Sequence, residues 1–290
     1  MTANVTGGYV DLGDWLAKWG KVPDSKKKLI PGEPERALKF GLVVNANTRE
    51  VGYRGVQGEN LTGLLTYNRY TRRQSELIWE NARATAKKGW VTSEGRWDHA
   101  PEKDFQRFTF NADHMDVSDL VTGIFPDVKE RGIASGLATG KVALTRPGLH
   151  ETPFNGEGTI TIDDSRFLSN AVLGRLGKVL GIEEIFNDVT FSKVNGDFDV
   201  VNNAAVFRGK KAIRLANSSF IYPLDIKMQG QIGPKDSIDL DLQLQFLSKV
   251  RNIPIVGAVW GVVNKLVGRA LHAHVTGSSK NPDVSLVPRI

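Results

Sequence analysis

The chain has 290 residues, 40% of them hydrophobic and 24% charged, with 30 Gly, 12 Pro and no Cys. A chain of this size and apolar content can bury a large core, which excludes disorder of the whole, and the lack of cysteine excludes disulfides, thiolate metal sites and cysteine nucleophiles. The 38 Lys and Arg against 32 Asp and Glu give a net charge of +6, yet the signs are interspersed, the run Lys26-Lys27-Lys28 lies among prolines, and no basic helix carries interleaved aromatics, so no nucleic acid is expected as a partner.

The start, Met1-Thr2-Ala3-Asn4, lacks the basic and apolar regions of a signal peptide, and Val5 to Leu12 reads as the middle of a domain, so a missing N-terminal part is expected. Candidate strands follow at Leu38 to Asn45, Val51 to Gln57, Gly63 to Tyr70, Glu76 to Thr85, Gly89 to Trp97 and Arg107 to Asn111. A short helix is expected from Asp116 to Phe125, capped by the Asp113-His114-Met115-Asp116 segment and stopped by Pro126. A soft boundary near Arg146-Pro147-Gly148 divides a β-rich part, 1–147, from a second part, 148–290.

Beyond it, apolar and polar residues alternate with period two in Thr159 to Asp163, Val189 to Lys193, Phe198 to Val200, Ile213 to Leu215, Leu224 to Gln229 and, without a break, Ile238 to Phe246. Such alternation places one set of side chains on one face of a sheet. Asn155-Gly156, Asn195-Gly196, Arg208-Gly209-Lys210 and Gly233-Pro234-Lys235-Asp236 read as turns between them, which makes an antiparallel meander. Ser165 to Phe186 has the three-and-four spacing of an amphipathic helix, and a second helix, apolar around most of its circumference, runs from Ile255 to Gly268. The uncharged stretch Asn252 to Asn264 is shorter than the roughly 18 to 20 residues that span a bilayer.

No motif for covalent chemistry emerges. His272-Ala273-His274 puts two imidazoles on one strand face, but no Cys and no neighbouring carboxylate in sequence completes a metal set. Asp163-Asp164 and Glu183-Glu184 are too close in sequence to flank a substrate as the carboxylates of a glycosidase do, about 5 to 10 Å apart on separate elements. Gly174 and Gly177 lie within a helix rather than in a phosphate-binding turn, and Ser165 and Ser169 lack a nucleophile elbow. The expectation is a protein that is not an enzyme, with no metal and no cofactor.

What remains is an extended apolar sheet face with amphipathic helices. Two such faces could bury one another in a β-sandwich, or one curved antiparallel sheet could leave its concave face open as a groove or half-barrel. Alternation alone fits both.

The second part resembles the AsmA-like C-terminal region. The resemblance is carried by Gly156-Glu157-Gly158-Thr159-Ile160-Thr161-Ile162-Asp163-Asp164-Ser165-Arg166-Phe167 leading into the Leu-rich helix, with Asp164-Ser165 where Asp-Gly is commoner, and by Phe191 to Asn202. Met228 to Ile232 with Ile238 to Leu242, the Ile253-Pro254-Ile255-Val256-Gly257 opening of the apolar helix, and the closing Val275-Thr276-Gly277 with Asn281-Pro282-Asp283-Val284 complete it. That family is related to bridge-like lipid carriers of the bacterial envelope, whose long β-groove has an apolar inner surface. The resemblance therefore implies a segment on the periplasmic side of the cell envelope that binds phospholipid acyl chains and contributes to lipid transport or outer-membrane homeostasis, with a membrane anchor in the missing N-terminal part. The groove lining would then be Ile160, Ile162, Val189, Phe191, Phe198, Val200, Ile213, Leu215, Leu224, Ile226, Met228, Ile238, Leu240, Leu242, Leu244 and Phe246, and the helix at 255–268 would meet a membrane surface or an envelope partner protein. The competing reading is a closed β-sandwich that binds or scaffolds without lipid.

Overall fold

The computed structural model describes residues 2–11, 40–53, 56–70, 74–86, 88–100, 104–117, 135–148, 152–166, 170–181, 183–186, 191–217, 224–234, 237–246, 270–278 and 281–287. They form one 15-stranded sheet in which neighbours in sequence are nearly always neighbours in space. The strands are β1 (Thr2–Asp11), β2 (Phe40–Tyr53), β3 (Val56–Arg69), β4 (Ser75–Thr85), β5 (Trp90–His99), β6 (Phe105–Asp116), β7 (Ser135–Pro147) and β8 (Asn155–Arg166). They continue as β9 (Phe191–Val201), β10 (Ala204–Phe207), β11 (Ile213–Ala216), β12 (Leu224–Ile232), β13 (Ser237–Phe246), β14 (Ala270–Ser278) and β15 (Asn281–Val287). β1 runs parallel to β2, and every other pair is antiparallel. β10 and β11 lie end to end between β9 and β12. Among the described strands the path ends at β1 and β15, so the sheet is open rather than closed into a barrel.

Sheets of this many strands coil, and the means are visible. The register slips within the pairs β3/β4, β4/β5, β6/β7 and β7/β8. At or beside the slips, Asn60, Asn81, His114 and Asp164 have positive φ of 53°, 51°, 51° and 50°. A bulge puts an extra residue in one strand, bends it and increases its twist. Asn, Asp and His tolerate the left-handed conformation best after glycine, which is why these positions carry them. Asn60 lies near the start of β3 and the other three near the ends of β4, β6 and β8, which antiparallel pairing brings to one side of the sheet, so the bend recurs there.

Several expectations are corrected by this arrangement. Val51 to Gln57 is not one strand: it contains the end of β2 and the start of β3. Asn155-Gly156 opens β8, and Asn195-Gly196 lies inside β9 rather than in a turn, so Val189 to Lys193 and Phe198 to Val200 are not separate strands. Gly196 is needed there for close approach: a Cβ would come within 2.9 Å of Ile213 Cα on β11. The turn that does follow β9 is Asn202-Asn203, both left-handed at φ 52° and 64°, the pair a two-residue hairpin of type I′ requires. Asp113 to Asp116 is strand with a bulge, not a helix cap. β7 carries little strand signal in its sequence, because Ser135-Gly136-Leu137-Ala138-Thr139-Gly140 is rich in small residues and alternates poorly. It is hydrogen-bonded to both β6 and β8, so the sheet runs unbroken through the boundary at Pro147.

Helix α1 (Asn170–Leu180) and the single turn α2 (Glu183–Phe186) replace the expected helix over Ser165 to Phe186, whose first residues extend β8 instead. Gly181, at φ 70°, closes α1 by donating its N–H to the Lys178 carbonyl at 3.2 Å, the usual left-handed stop. Gly177 lets α2 fold back, since a Cβ would meet Glu183 Cα at 2.9 Å. Val172, Leu173, Leu176 and Phe186 of these helices are buried against the sheet. The helices expected from Asp116 and from Ile255 to Gly268 lie, beyond Val117, outside the described residues, as does Val189.

Candidate functional site: an apolar sheet face with a charged rim

The register assigns each side chain to a face. On β13, Ile238, Leu240, Leu242, Leu244 and Phe246 are buried, while Asp239, Asp241, Gln243 and Gln245 between them are exposed. Across β12 the buried set pairs with Ile232, Gly230, Met228, Ile226 and Leu224, and across β14 with Gly277, Val275, Ala273 and Leu271. The same face continues through Ile213 and Leu215, Val194, Phe198 and Val200, then Ile160 and Ile162. Through β7, β6, β5, β4 and β3 it carries Val142 and Leu144, Phe108 and Phe110, Trp97, Trp79 and Leu77, and finally Leu65 and Tyr67. One apolar face thus spans the sheet, with a polar face behind it.

The two ends of this face differ in cover. From β9 onward it is sealed. Of the expected groove lining, Ile162, Phe191, Ile213, Leu215, Leu224, Ile226, Met228, Ile238, Leu240, Leu242, Leu244 and Phe246 are buried in one cluster with Val172, Leu173, Leu176 and Phe186 of the helices. Ile160 and Phe198 are half-buried at its margin, and Val200 is half-buried too. From β3 to β8 the apolar side chains of the same face, Leu65, Tyr67, Leu77, Trp79, Trp97, Phe108, Val142 and Leu144, are only half-buried, and Phe110 is 41% exposed. None of these was singled out from the sequence, because bulges and glycines interrupt the alternation that revealed β13.

The open part has an aromatic floor. Phe108 stands 6.5 Å from Trp79 and 5.3 Å from each of Phe110 and Phe154, centroid to centroid. Glycines make room for rings: a Cβ on Gly95 would fall 2.3 Å from the Trp79 ring, and one on Gly158 2.3 Å from Phe198. The Trp79 indole N–H donates to Ser93 Oγ at 2.9 Å, which holds the ring across its glycine. Such a ring-over-glycine pair covers strand backbone with apolar surface.

At the strand ends opposite the bulges the face becomes polar. Arg146 is directly across from Gln106, which pairs with Trp97, and its guanidinium lies 4.9 Å over the Phe154 ring. The Trp97 indole donates to Asp104 Oδ1 at 2.6 Å, and Arg146 Nη2 and His99 Nδ1 each stand 3.6 Å from that carboxylate. Asp104 and Arg146 are buried. Arg69, opposite Ser75 and through it His99, occupies the same rim. Among the described residues of this face from β3 to β9, between the bulges and the rim, the charged side chains are Arg69, Asp104 and Arg146.

The polar face holds separate networks. Glu76, 6% exposed, accepts from the Tyr70 hydroxyl at 2.6 Å and Asn68 Nδ2 at 3.1 Å, and pairs with Arg96 at 2.8 Å. The Tyr70 hydrogen bond above all holds the Glu76 carboxyl below its ordinary range, and the same bond raises the Tyr70 phenol. Lys211 sits 2.6 Å from Asp199 and 3.7 Å from Glu157, and the Asp199 hydrogen bond raises its ammonium. His272 and His274 share this face, where β13 brings up two carboxylates distant in sequence: His274 is 2.9 Å from Asp241 and 3.6 Å from Asp239. No group of three or more His, Cys, Asp or Glu able to hold a metal ion is found among the described residues. Nor is any helix among them long and apolar enough to cross a membrane.

Comparison with known proteins returns no matching family model, no matching curated protein and no matching solved structure. The likeness to the AsmA-like region therefore rests on the quoted motifs.

Proposed function

We propose that this protein is a non-enzymatic lipid carrier that holds phospholipid acyl chains on the apolar face of β3 to β8. The observation that carries the reading is the contrast along that face. From β9 onward it is buried in one cluster with Val172, Leu173, Leu176 and Phe186 of the helices; further along, Trp79, Phe108, Phe110 and their neighbours keep water-accessible surface. Large contiguous apolar surface is costly in water and marks a place where something apolar binds.

At a strand spacing of about 4.8 Å, the face extends about 29 Å from β3 to β9, roughly twice the depth of one leaflet of a bilayer core. Each methylene moved from water onto such a surface is worth about 0.8 kcal/mol, so a trough of this length competes with a bilayer for acyl chains without a tight site or covalent chemistry. The buried residues from β9 to β14 are then the sealed end of the trough rather than its lining. Location in a bacterial envelope, with a role in lipid transport between membranes, follows from the resemblance and belongs to the same proposal.

The test is native mass spectrometry and lipid extraction of the purified chain. Phospholipid is expected to co-purify, and Phe110→Asp to reduce it without altering the far-ultraviolet circular dichroism. A well-folded wild type that carries no lipid, and takes none from vesicles, overturns the reading.

A further inference from the structure

The trough is asymmetric across its width. On one side lie the bulges and apolar residues such as Ala112, Met115 and Ala138; on the other lie Arg69, Asp104, Arg146, His99, Gln106 and Trp97. Charges on an otherwise apolar face cost desolvation, and a buried ion pair is in general no more stabilising than apolar residues of the same volume. Arg146 is moreover posed: Asp104 holds it from one side, and Phe154 lies beneath its plane. A planar guanidinium stacked on an aromatic ring keeps its fork of donors in a fixed orientation, the arrangement suited to phosphate oxygens.

Building on the acyl-chain reading above, we infer that the Arg69–Arg146 rim is the headgroup side of the trough. It receives the phosphodiester of a glycerophospholipid, and the tails lie across Phe108, Phe110 and Trp79 toward the bulged side. The phospholipid is thereby held in one orientation, by its phosphate as well as by its acyl chains.

The experiment offers the purified chain mixed vesicles of phosphatidylglycerol, phosphatidylethanolamine and diacylglycerol, and measures the bound composition by lipid extraction. Wild type is expected to enrich either phospholipid over diacylglycerol by about three- to tenfold, the worth of a partly screened charge-assisted hydrogen bond. Arg69→Gln with Arg146→Gln is expected to abolish the enrichment while diacylglycerol binding persists. Should the double variant fail to fold, the wild-type ratio decides alone, because bound lipid in the vesicle proportions overturns the headgroup assignment and leaves acyl-chain binding standing. Loss of phospholipid enrichment on adding inorganic phosphate would assign the rim to free phosphate and overturn it as well. Absence of all lipid overturns both readings.

Discussion

Trp79 lies across Gly95 on the neighbouring strand so closely that a Cβ at position 95 would stand 2.3 Å from its ring, and Ser93 anchors the indole there through a 2.9 Å hydrogen bond. The obstructing atoms belong to the far edge of a side chain, which can swing away. Gly95→Ala is therefore expected to cost only about 1 kcal/mol, the order of one hydrogen bond, while displacing the ring from the aromatic floor. At Gly140 the obstructing atom is instead the backbone oxygen of Thr159, 2.5 Å from the Cβ position, and backbone cannot swing. Gly140→Ala should destabilise by about 2 kcal/mol or more, the range of overpacking. Urea denaturation ranks the two, and tryptophan emission reports the ring: a red shift is expected for Gly95→Ala, and the reverse order of stabilities would refute the packing argument.

Leu242 and Phe110 occupy the same face but opposite regimes of cover. Leu242 is buried in the same cluster as the helix side chains Leu173, Leu176 and Phe186, and Leu242→Ala is expected to cost about 2–5 kcal/mol with little effect on lipid per folded molecule. Phe110 is 41% exposed, so Phe110→Ala should cost about 1 kcal/mol, mostly through the lost edge contact with Phe108, while lipid retention falls. Thermal melting combined with lipid extraction separates them. If Leu242→Ala emptied a still-folded protein and Phe110→Ala did not, the trough would lie at the β9 to β14 end instead.

The alternating sequence carries only part of this. The nine residues from Ile238 to Phe246 announce a strand with one apolar face, and the structure bears this out residue by residue. Alternation records only that a face excludes water, however, and is the same whether helix side chains or lipid do the excluding. The exposed floor is less legible because Trp79 sits beside the bulge at Asn81, and the strand that carries Phe108 loses its period at His114. The Asp104 and Arg146 rim is not legible for a different reason: the two are far apart in sequence, and β7, which brings them together, lacks the alternation that marks a strand.

On the polar face, pH should act through Glu76. Its folded carboxyl titrates below the ordinary value of 4.5, chiefly because the Tyr70 hydroxyl donates to the carboxylate. A depressed folded value means that the unfolded chain takes up the proton first. The stabilisation is thus present above about pH 4.5 and is lost as the pH falls through the lower folded value. Tyr70 has the opposite sign: its raised phenol contributes at pH below its ordinary 10.0 and is lost as the pH rises through the folded value. Chemical denaturation from pH 7 down to 3 is expected to show a steeper loss for wild type than for Glu76→Gln. Parallel curves for the two would remove Glu76 from the account of acid stability.

The bend of the sheet can be tested at His114, whose backbone is left-handed at φ 51° and whose side chain is 58% exposed. Its amide donates to Thr139 Oγ1 at 3.1 Å on β7, so the bulge is tied across the strand pair at the point where the register slips between Ala112 and Met115. Glycine adopts this conformation freely, and His114→Gly should leave stability within about 0.5 kcal/mol of wild type. Valine, branched at Cβ, pays the steric penalty in full, so His114→Val should cost about 1–2 kcal/mol. The same pair of substitutions at Asn81, at φ 51°, should rank in the same order, since both strands need the extra residue to turn. A valine tolerated as well as glycine at both sites would mean that the bulges are not held in the left-handed conformation, and the recurring bend on that side of the sheet would lose its cause.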